Sequence, residues 1–184
     1  MLDLILSELP TTEGFSKNLI IKISKPINFS TELVIIEGSN HNRDVLSSRA
    51  VDILLSPEKV SEKDQFNQRN SGLNHVLCLL ARKNEIAIGF NIQELIRSKG
   101  KNRAQFFGRM QQNIRLCRKY KVRMVLASFA SSVVEQRSVF ELQQFGIVLG
   151  MPSKEAKEAL QCAELLLNDK PGKIKPGLLM INNT

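Results

Sequence analysis

Val51-Asp52-Ile53-Leu54-Leu55 and Met124-Val125-Leu126-Ala127 are the two stretches on which the fold turns. Both are short and almost unbroken in their apolar character. A strand with one wet face alternates apolar and polar residues, whereas a strand covered on both faces reads as a continuous run. The pair predicts buried parallel strands lying under helices. Leu2–Leu6, Leu19–Ser24, Leu33–Glu37 and Ile86–Phe90 extend the pattern, the second core run widens to Val122–Ala127, and a weaker strand falls at Leu178–Ile181. Helical spacing follows the later strands. Gly72–Asn84 carries Leu73, Val76, Leu77, Leu80 and Ala81; Ala104–Tyr120 carries Phe106 or Phe107, Met110, Ile114 and Cys117 on one stripe. Ser138–Leu149 opens with Ser138 and Glu141 spaced as a capping box, and another helix runs from Ser153 to about Leu167.

This βα alternation places the chain in the α/β class. The first three connections (Leu6 to Leu19, Ser24 to Leu33, Glu37 to Val51) have room for at most a short helix each. A full eightfold barrel takes about 250 residues, and this chain has 184. The expected architecture is a compact, TIM-barrel-like α/β barrel with shortened N-terminal crossovers, a single domain over residues 1–184 without internal repeats. Residues 56–72 and 170–177 read as loops.

Hydrophobic residues make up 42% and charged residues 24%, an ordinary globular composition. No eighteen apolar residues run together, and the opening Met1–Glu8 has no basic n-region, so neither a membrane span nor a secretory signal is expected. Cys78, Cys117 and Cys162 match no zinc or disulfide spacing, which predicts reduced, buried thiols and a cytoplasmic protein.

The formal charge is +8, and its distribution is uneven. Residues 1–94 hold 10 bases and 12 acids, and residues 135–184 hold six of each. Residues 95–134 hold ten bases and no acid: Arg97, Lys99, Lys101, Arg103, Arg109, Arg115, Arg118, Lys119, Lys121 and Arg123. Protein surfaces normally intersperse the signs. An acid-free window of this length points to an external polyanion or to a strongly solvated face.

Several segments together resemble one family. They are Val51-Asp52-Ile53-Leu54 with Pro57-Glu58, Gly72-Leu73-Asn74-His75-Val76-Leu77 leading to Ala81 and Asn84, Asn113 through Val122, Arg137-Ser138, and Leu149-Gly150-Met151. In order and spacing, over residues 30–165, the chain resembles the archaeal ribonuclease P protein component 3 family, homologues of the eukaryotic thirty-kilodalton ribonuclease P subunit. The resemblance implies a small barrel related to the polymerase-and-histidinol-phosphatase (PHP) metal hydrolases. It implies an RNA-binding subunit in removal of the tRNA 5′ leader. The partners implied are ribonuclease P RNA, precursor tRNA indirectly, and other protein subunits, especially a small ferredoxin-like one. Catalysis would lie with the RNA and its own Mg²⁺, with no cofactor in this chain.

On that reading the candidate RNA contacts are Arg97, Lys99, Lys101, Arg103, Arg109, Arg115, Arg118, Lys119 and Arg123, joined by Arg43 and Arg137 in turns. The loop Ser98–Arg103 runs straight into a helix and offers amides and positive dipole to a phosphate. Arg115 and Lys119 share a face with Gln112 opposite the apolar stripe. With no Trp, one Tyr and nine Phe largely on core stripes, backbone charge and shape are expected to matter more than base stacking.

An autonomous PHP-like metal-dependent phosphohydrolase or nuclease is the alternative. Such chemistry needs several His and carboxylates converging at strand ends. Only His41 and His75 are present; the first is expected in an exposed loop and the second packed in a helix. Asp3, Glu37 and Asp52 fall on strands and could point into a barrel mouth. No catalytic residue and no metal ligand is assigned.

Overall fold

The computed structural model describes residues 2–5, 13, 17–20, 33–60, 63–64, 66 and 69–169. Two parallel sheets are present. Strands β1 (Leu2–Ile5) and β2 (Lys17–Ile20) pair in one. The other has the order β3 (Ile35–Glu37), β4 (Ile53–Leu55), β5 (Ala87–Asn91) and β6 (Met124–Ala127), every neighbour parallel. Strand order follows chain order, as connections that each step one strand onward require. The two sheets meet where the chain leaves β6: Phe129 N–H donates to the Leu4 carbonyl at 2.9 Å. The Asp3 carboxylate takes Ser128 N–H at 2.8 Å and its hydroxyl at 2.6 Å.

Helices fill the connections. They are α1 (Asn42–Ser47), α2 (His75–Lys83), α3 (Ile92–Arg97), α4 (Gly100–Tyr120), α5 (Val139–Val148) and α6 (Ser153–Asp169), with a 3₁₀ turn at Val133–Glu135. The core strands carry apolar residues on both faces because both faces are covered. Leu54, Ile88, Phe90 and Leu126 point to a layer built from α2, α4 and α5. Ile53, Leu55, Ala87, Val125 and Ala127 point to the opposite side, against Leu4 of β1 and Phe129. Each fully buried Leu, Ile, Val or Phe among them contributes about 1.5–3 kcal/mol. Helix α6 serves both layers: Ala156, Ala159 and Leu160 join the first, and Cys162, Ala163 and Leu166 the second.

The α/β class and the parallel sheet match expectation. Ser138 and Glu141 form the reciprocal capping box, and the three cysteines are buried free thiols. Three details differ. Helix α3 was not anticipated; it follows β5 directly, capped by the Asn91 side chain, which accepts from Gln93 N–H at 2.9 Å. Helix α4 begins at Gly100, so the expected loop 98–103 shrinks to Ser98-Lys99. His75 is exposed in the first turn of α2 instead of packed. The expected strand at Leu178–Ile181 and the loop 170–177 lie outside the described residues, as does 21–24 of the second strand. Among the described residues, no helix is long and apolar enough to cross a membrane.

Candidate nucleic-acid interface

Helix α4 carries most of the basic window, and its neighbours decide what each base does. Its inward stripe, Met110, Ile114 and Cys117, is at most 1% exposed. Lys99 precedes it, Lys101 stands exposed in its first turn, and Arg115 and Lys119 are exposed toward its end, with Lys121 just beyond in a left-handed cap conformation (φ 55°). Among the described residues these cations have no carboxylate within ion-pair distance. The Lys119 ammonium lies 5.5 Å from the centroid of the Tyr120 ring. No acid occupies the first turn of α4 and no side chain caps it. A helix N-terminus in that condition keeps its partial positive charge available.

Arg109 is the clear correction. Its side chain is only 5% exposed and is held at 2.8 Å by Asp64. The same guanidinium donates to the Glu58 and Val60 carbonyls at 3.1 and 3.2 Å. It cannot reach an external phosphate, because the 56–72 connection covers it. Five N–H donors meeting a segment with unpaired carbonyls and an acid explain why this arginine is drawn inward.

Five more candidates have partners inside the molecule while staying partly exposed. Arg97 pairs with Glu135. The Glu135 carboxyl is held down at about 2, first by the Ser131 hydroxyl and then by Arg97. Arg118 forks onto Glu155 at 3.0 and 2.6 Å and also donates to the Gly150 carbonyl at 2.9 Å. Arg123 sits 3.1 Å from Asp169. Arg103 donates to the Ser98 and Ile96 carbonyls at 2.7 and 3.1 Å, placing a cation at the C-terminal end of α3. Arg137 binds the Val134 and Gln136 carbonyls at 2.8 and 2.6 Å. Arg43 is exposed on α1. The expected belt is therefore discontinuous: a free cationic face on α4, flanked by arginines that also tie elements together.

The carboxylates at strand ends are occupied as well. Asp3 is latched to Ser128, and burial raises its carboxyl against the lowering effect of those bonds. Asp52 accepts from Val34 N–H at 2.6 Å. Glu37 and Glu94 share the Lys59 ammonium at 2.6 and 3.0 Å. Burial opposes the Lys59 charge, but the two carboxylates outweigh it and raise its basicity. Among the described residues, no three His, Cys, Asp or Glu side chains are grouped to hold a metal ion.

A basic residue outside the acid-free window also bears on this face. Arg69 lies against α4: a Cβ added at Gly108 would stand 2.8 Å from its guanidinium carbon. Glycine in mid-helix costs about 1 kcal/mol relative to alanine, so Gly108 was the available sign of a close approach there.

Comparison with known proteins adds a second line of evidence. The family model described as RNase P subunit p30 matches residues 22–173. Ribonuclease P protein component 3 of Methanosarcina acetivorans is 34% identical over 155 residues, covering 81% of this chain and 62% of that protein. The Methanococcus vannielii protein of the same name is 29% identical over 167 residues, covering 90% and 69%. A chain in a cryo-EM structure of archaeal ribonuclease P with mature tRNA superposes with a TM-score of 0.65 at 25% identity, over 82% of this chain and 65% of that one. This chain thus spans a little under two thirds of the Methanosarcina relative. The matched span runs from before β3 through α6 and takes in the whole four-stranded sheet and the basic helix, so the chain belongs to the RNase P subunit p30 family.

Proposed function

We propose that this chain is a protein subunit of ribonuclease P, the ribonucleoprotein that removes the 5′ leader from precursor tRNA. It binds and stabilises the catalytic RNA and does not itself cleave a bond. The observation that carries the reading is the family match over residues 22–173, within which lies the exposed, acid-free cationic face of α4. Each phosphate that Lys101, Arg115 or Lys119 neutralises releases condensed cations from the RNA and lets helices of the ribozyme pack at lower Mg²⁺. Hydrolysis belongs to the RNA and the Mg²⁺ it binds. Asp3, Glu37 and Asp52 already accept from protein donors, which supports giving them structural work.

Residues 1–184 form one domain on this reading, with the two sheets as arcs of one small PHP-related barrel. The Asp3–Ser128 latch supports that arrangement by joining β1 to the end of β6. The partners are ribonuclease P RNA, precursor tRNA through that RNA, and further protein subunits including a small ferredoxin-like one, in the cytoplasm.

Filter binding to a transcribed archaeal ribonuclease P RNA tests the proposal. Replacing Lys101, Arg115 and Lys119 together by Gln should weaken binding about tenfold near 0.1 M salt and lower the log–log salt slope by about 2. The melting temperature should not move. Equal binding by parent and variant would reject the α4 face. Cleavage of precursor tRNA by the chain alone with Mg²⁺ would replace the subunit reading with a hydrolase.

A further inference from the structure

The carboxyl ends of β3 and β4 open into a cleft of about 460 Å³. Ligand sites of α/β proteins collect at this end of the strands, where the loops diverge. The floor is built by close backbone contact. A Cβ added at Gly38 would stand 2.3 Å from the Ser56 carbonyl oxygen. One added at Gly72, whose φ is +74°, would stand 1.8 Å from that of Pro57. Buried Asn42 stitches the segments: its Oδ1 accepts from Ser39 N–H at 2.8 Å, and its Nδ2 donates to the Pro57 and Gly72 carbonyls at 3.1 Å each.

Three cations line this rigid floor: Arg43 from α1, and Lys63 and Arg69 from the β4–α2 connection. All three are exposed, and none has a carboxylate within ion-pair distance among the described residues. Among the described residues no Asp or Glu lines the cleft. Asp64, next to Lys63, faces away to Arg109 at 2.8 Å and accepts from Asn70 N–H at 2.9 Å, and Asp44, next to Arg43, lies 3.6 Å from His41 Nδ1. Asn74 also lines the space; its Oδ1 caps α2 at Leu77 N–H, which leaves its amide donors without a partner among the described residues.

Like charges gathered around one concavity repel each other unless an anion lies between them. Arginine forks onto two phosphate oxygens, and lysine adds a point charge. Among the described residues no aromatic side chain lines the cleft, so its recognition favours the charged backbone over a stacked base. Arg69 also connects the cleft to the first interface, since its guanidinium lies on α4 at Gly108 and its carbonyl accepts from Gln112 Nε2 at 3.2 Å.

We infer that the cleft formed by Arg43, Lys63 and Arg69 over the Asn42 floor seats a phosphodiester of an RNA strand, whose backbone continues past Arg69 onto α4. This rests on the RNA-binding reading above and adds a contact site separate from the α4 face. Asn74 is placed to donate to a phosphate or ribose oxygen.

The test uses the full chain and a transcribed archaeal ribonuclease P RNA. Arg43→Gln/Lys63→Gln/Arg69→Gln should lose about tenfold in affinity near 0.1 M salt, with the salt slope lower by about 2. In the parent, saturating RNA should slow acetylation of Lys63 by a soluble N-hydroxysuccinimide ester at least about fivefold, leaving Lys154 unaffected; a melting curve checks that the variant is folded. If the α4 variant loses affinity while the cleft variant binds like the parent, the RNA reading stands and the cleft assignment is wrong. If affinity falls but Lys63 reacts equally with and without RNA, the effect is indirect and the assignment is again wrong. A parent chain that binds no RNA overturns both.

Discussion

Arg109 and Arg115 lie less than two turns apart on one helix and do opposite things. Arg109 is buried against the 56–72 connection, with Asp64 and two carbonyls around its guanidinium. Arg115 is exposed, with no carboxylate within ion-pair distance among the described residues. Both stand in the same acid-free window of sequence, and both count equally toward the charge of +8. What separates them is the third dimension: one side of α4 faces a segment rich in unpaired acceptors, and the other faces water. A basic run is thus a pool from which the fold first takes the cations it needs, and only the remainder is available to a partner.

Breaking the buried side should produce the largest effect. Arg109→Ala takes the guanidinium from the Glu58 and Val60 carbonyls and from Asp64, which keeps only its other donors such as Asn70 N–H, and losing these charged hydrogen bonds costs about 3 kcal/mol. For a chain of this size that lowers the melting temperature by roughly 10 °C. Arg109→Lys should rescue little, because a single ammonium cannot span three separated acceptors. Arg115→Ala should stay within about 0.5 kcal/mol of the parent and show its effect in RNA affinity alone. Two equal melting temperatures would erase the distinction.

A subtler difference lies beneath Arg109. Glu58 is fully buried, and burial pushes its carboxyl up to about 8. Asn113 Nδ2 lies 3.3 Å from one carboxyl oxygen, while Glu58 Oε1 and Asn113 Oδ1 have no partner among the described residues. The folded chain therefore keeps this proton to about pH 8, whereas the unfolded chain releases it near its ordinary value of 4.5. Between those limits the folded state binds more protons, so stability falls as pH rises, by up to about 1.4 kcal/mol per pH unit. Glu58→Gln removes that slope. Denaturant titrations at pH 5.5 and 7.5 should show the parent losing about 2–3 kcal/mol more than the variant across the interval. Parallel losses would mean that Glu58 is already ionised.

The strands were legible because burial on both faces leaves a continuous apolar run, and Met124–Ala127 matches its predicted core closely. Helix α6 was legible from its start at Ser153 because its amphipathic period is long. The six-residue helices were harder. Helix α3 has too few turns to display a period and is fixed by the Asn91 cap and by Gln93, whose amide donates to the Glu135 carbonyl at 2.6 Å. At the candidate interface the charge window was plain, but the sorting of its members was not. Gln105, Arg109 and Asn113 repeat at helical spacing, a polar row that predicts a polar neighbour. The acids Glu58 and Asp64 in the expected loop were the complementary half of that signal. For Arg97, Arg118 and Arg123 no such local signal exists, because Glu135, Glu155 and Asp169 lie 37 to 46 residues away.

Arg118 is the finest test of the division, since it sits beside Arg115 and Lys119 yet holds α4 to the start of α6. Its fork onto Glu155 and its bond to the Gly150 carbonyl give it three acceptors at 3.0 Å or less. The site is partly solvated, with 43% of the arginine side chain exposed, so water screens the pair. Arg118→Gln should therefore cost about 1 kcal/mol, the upper range for such a pair, and lower the melting temperature by about 3 °C. Glu155→Gln should cost a similar amount, and the double variant no more than the larger single loss, because both changes break one contact. The RNA readout then separates the two roles. If Arg118 serves the fold, Glu155→Gln frees a cation beside Arg115 and RNA affinity rises slightly or holds. If Arg118 already serves the RNA, Arg118→Gln lowers the salt slope by about 1 and leaves the melting curve unmoved.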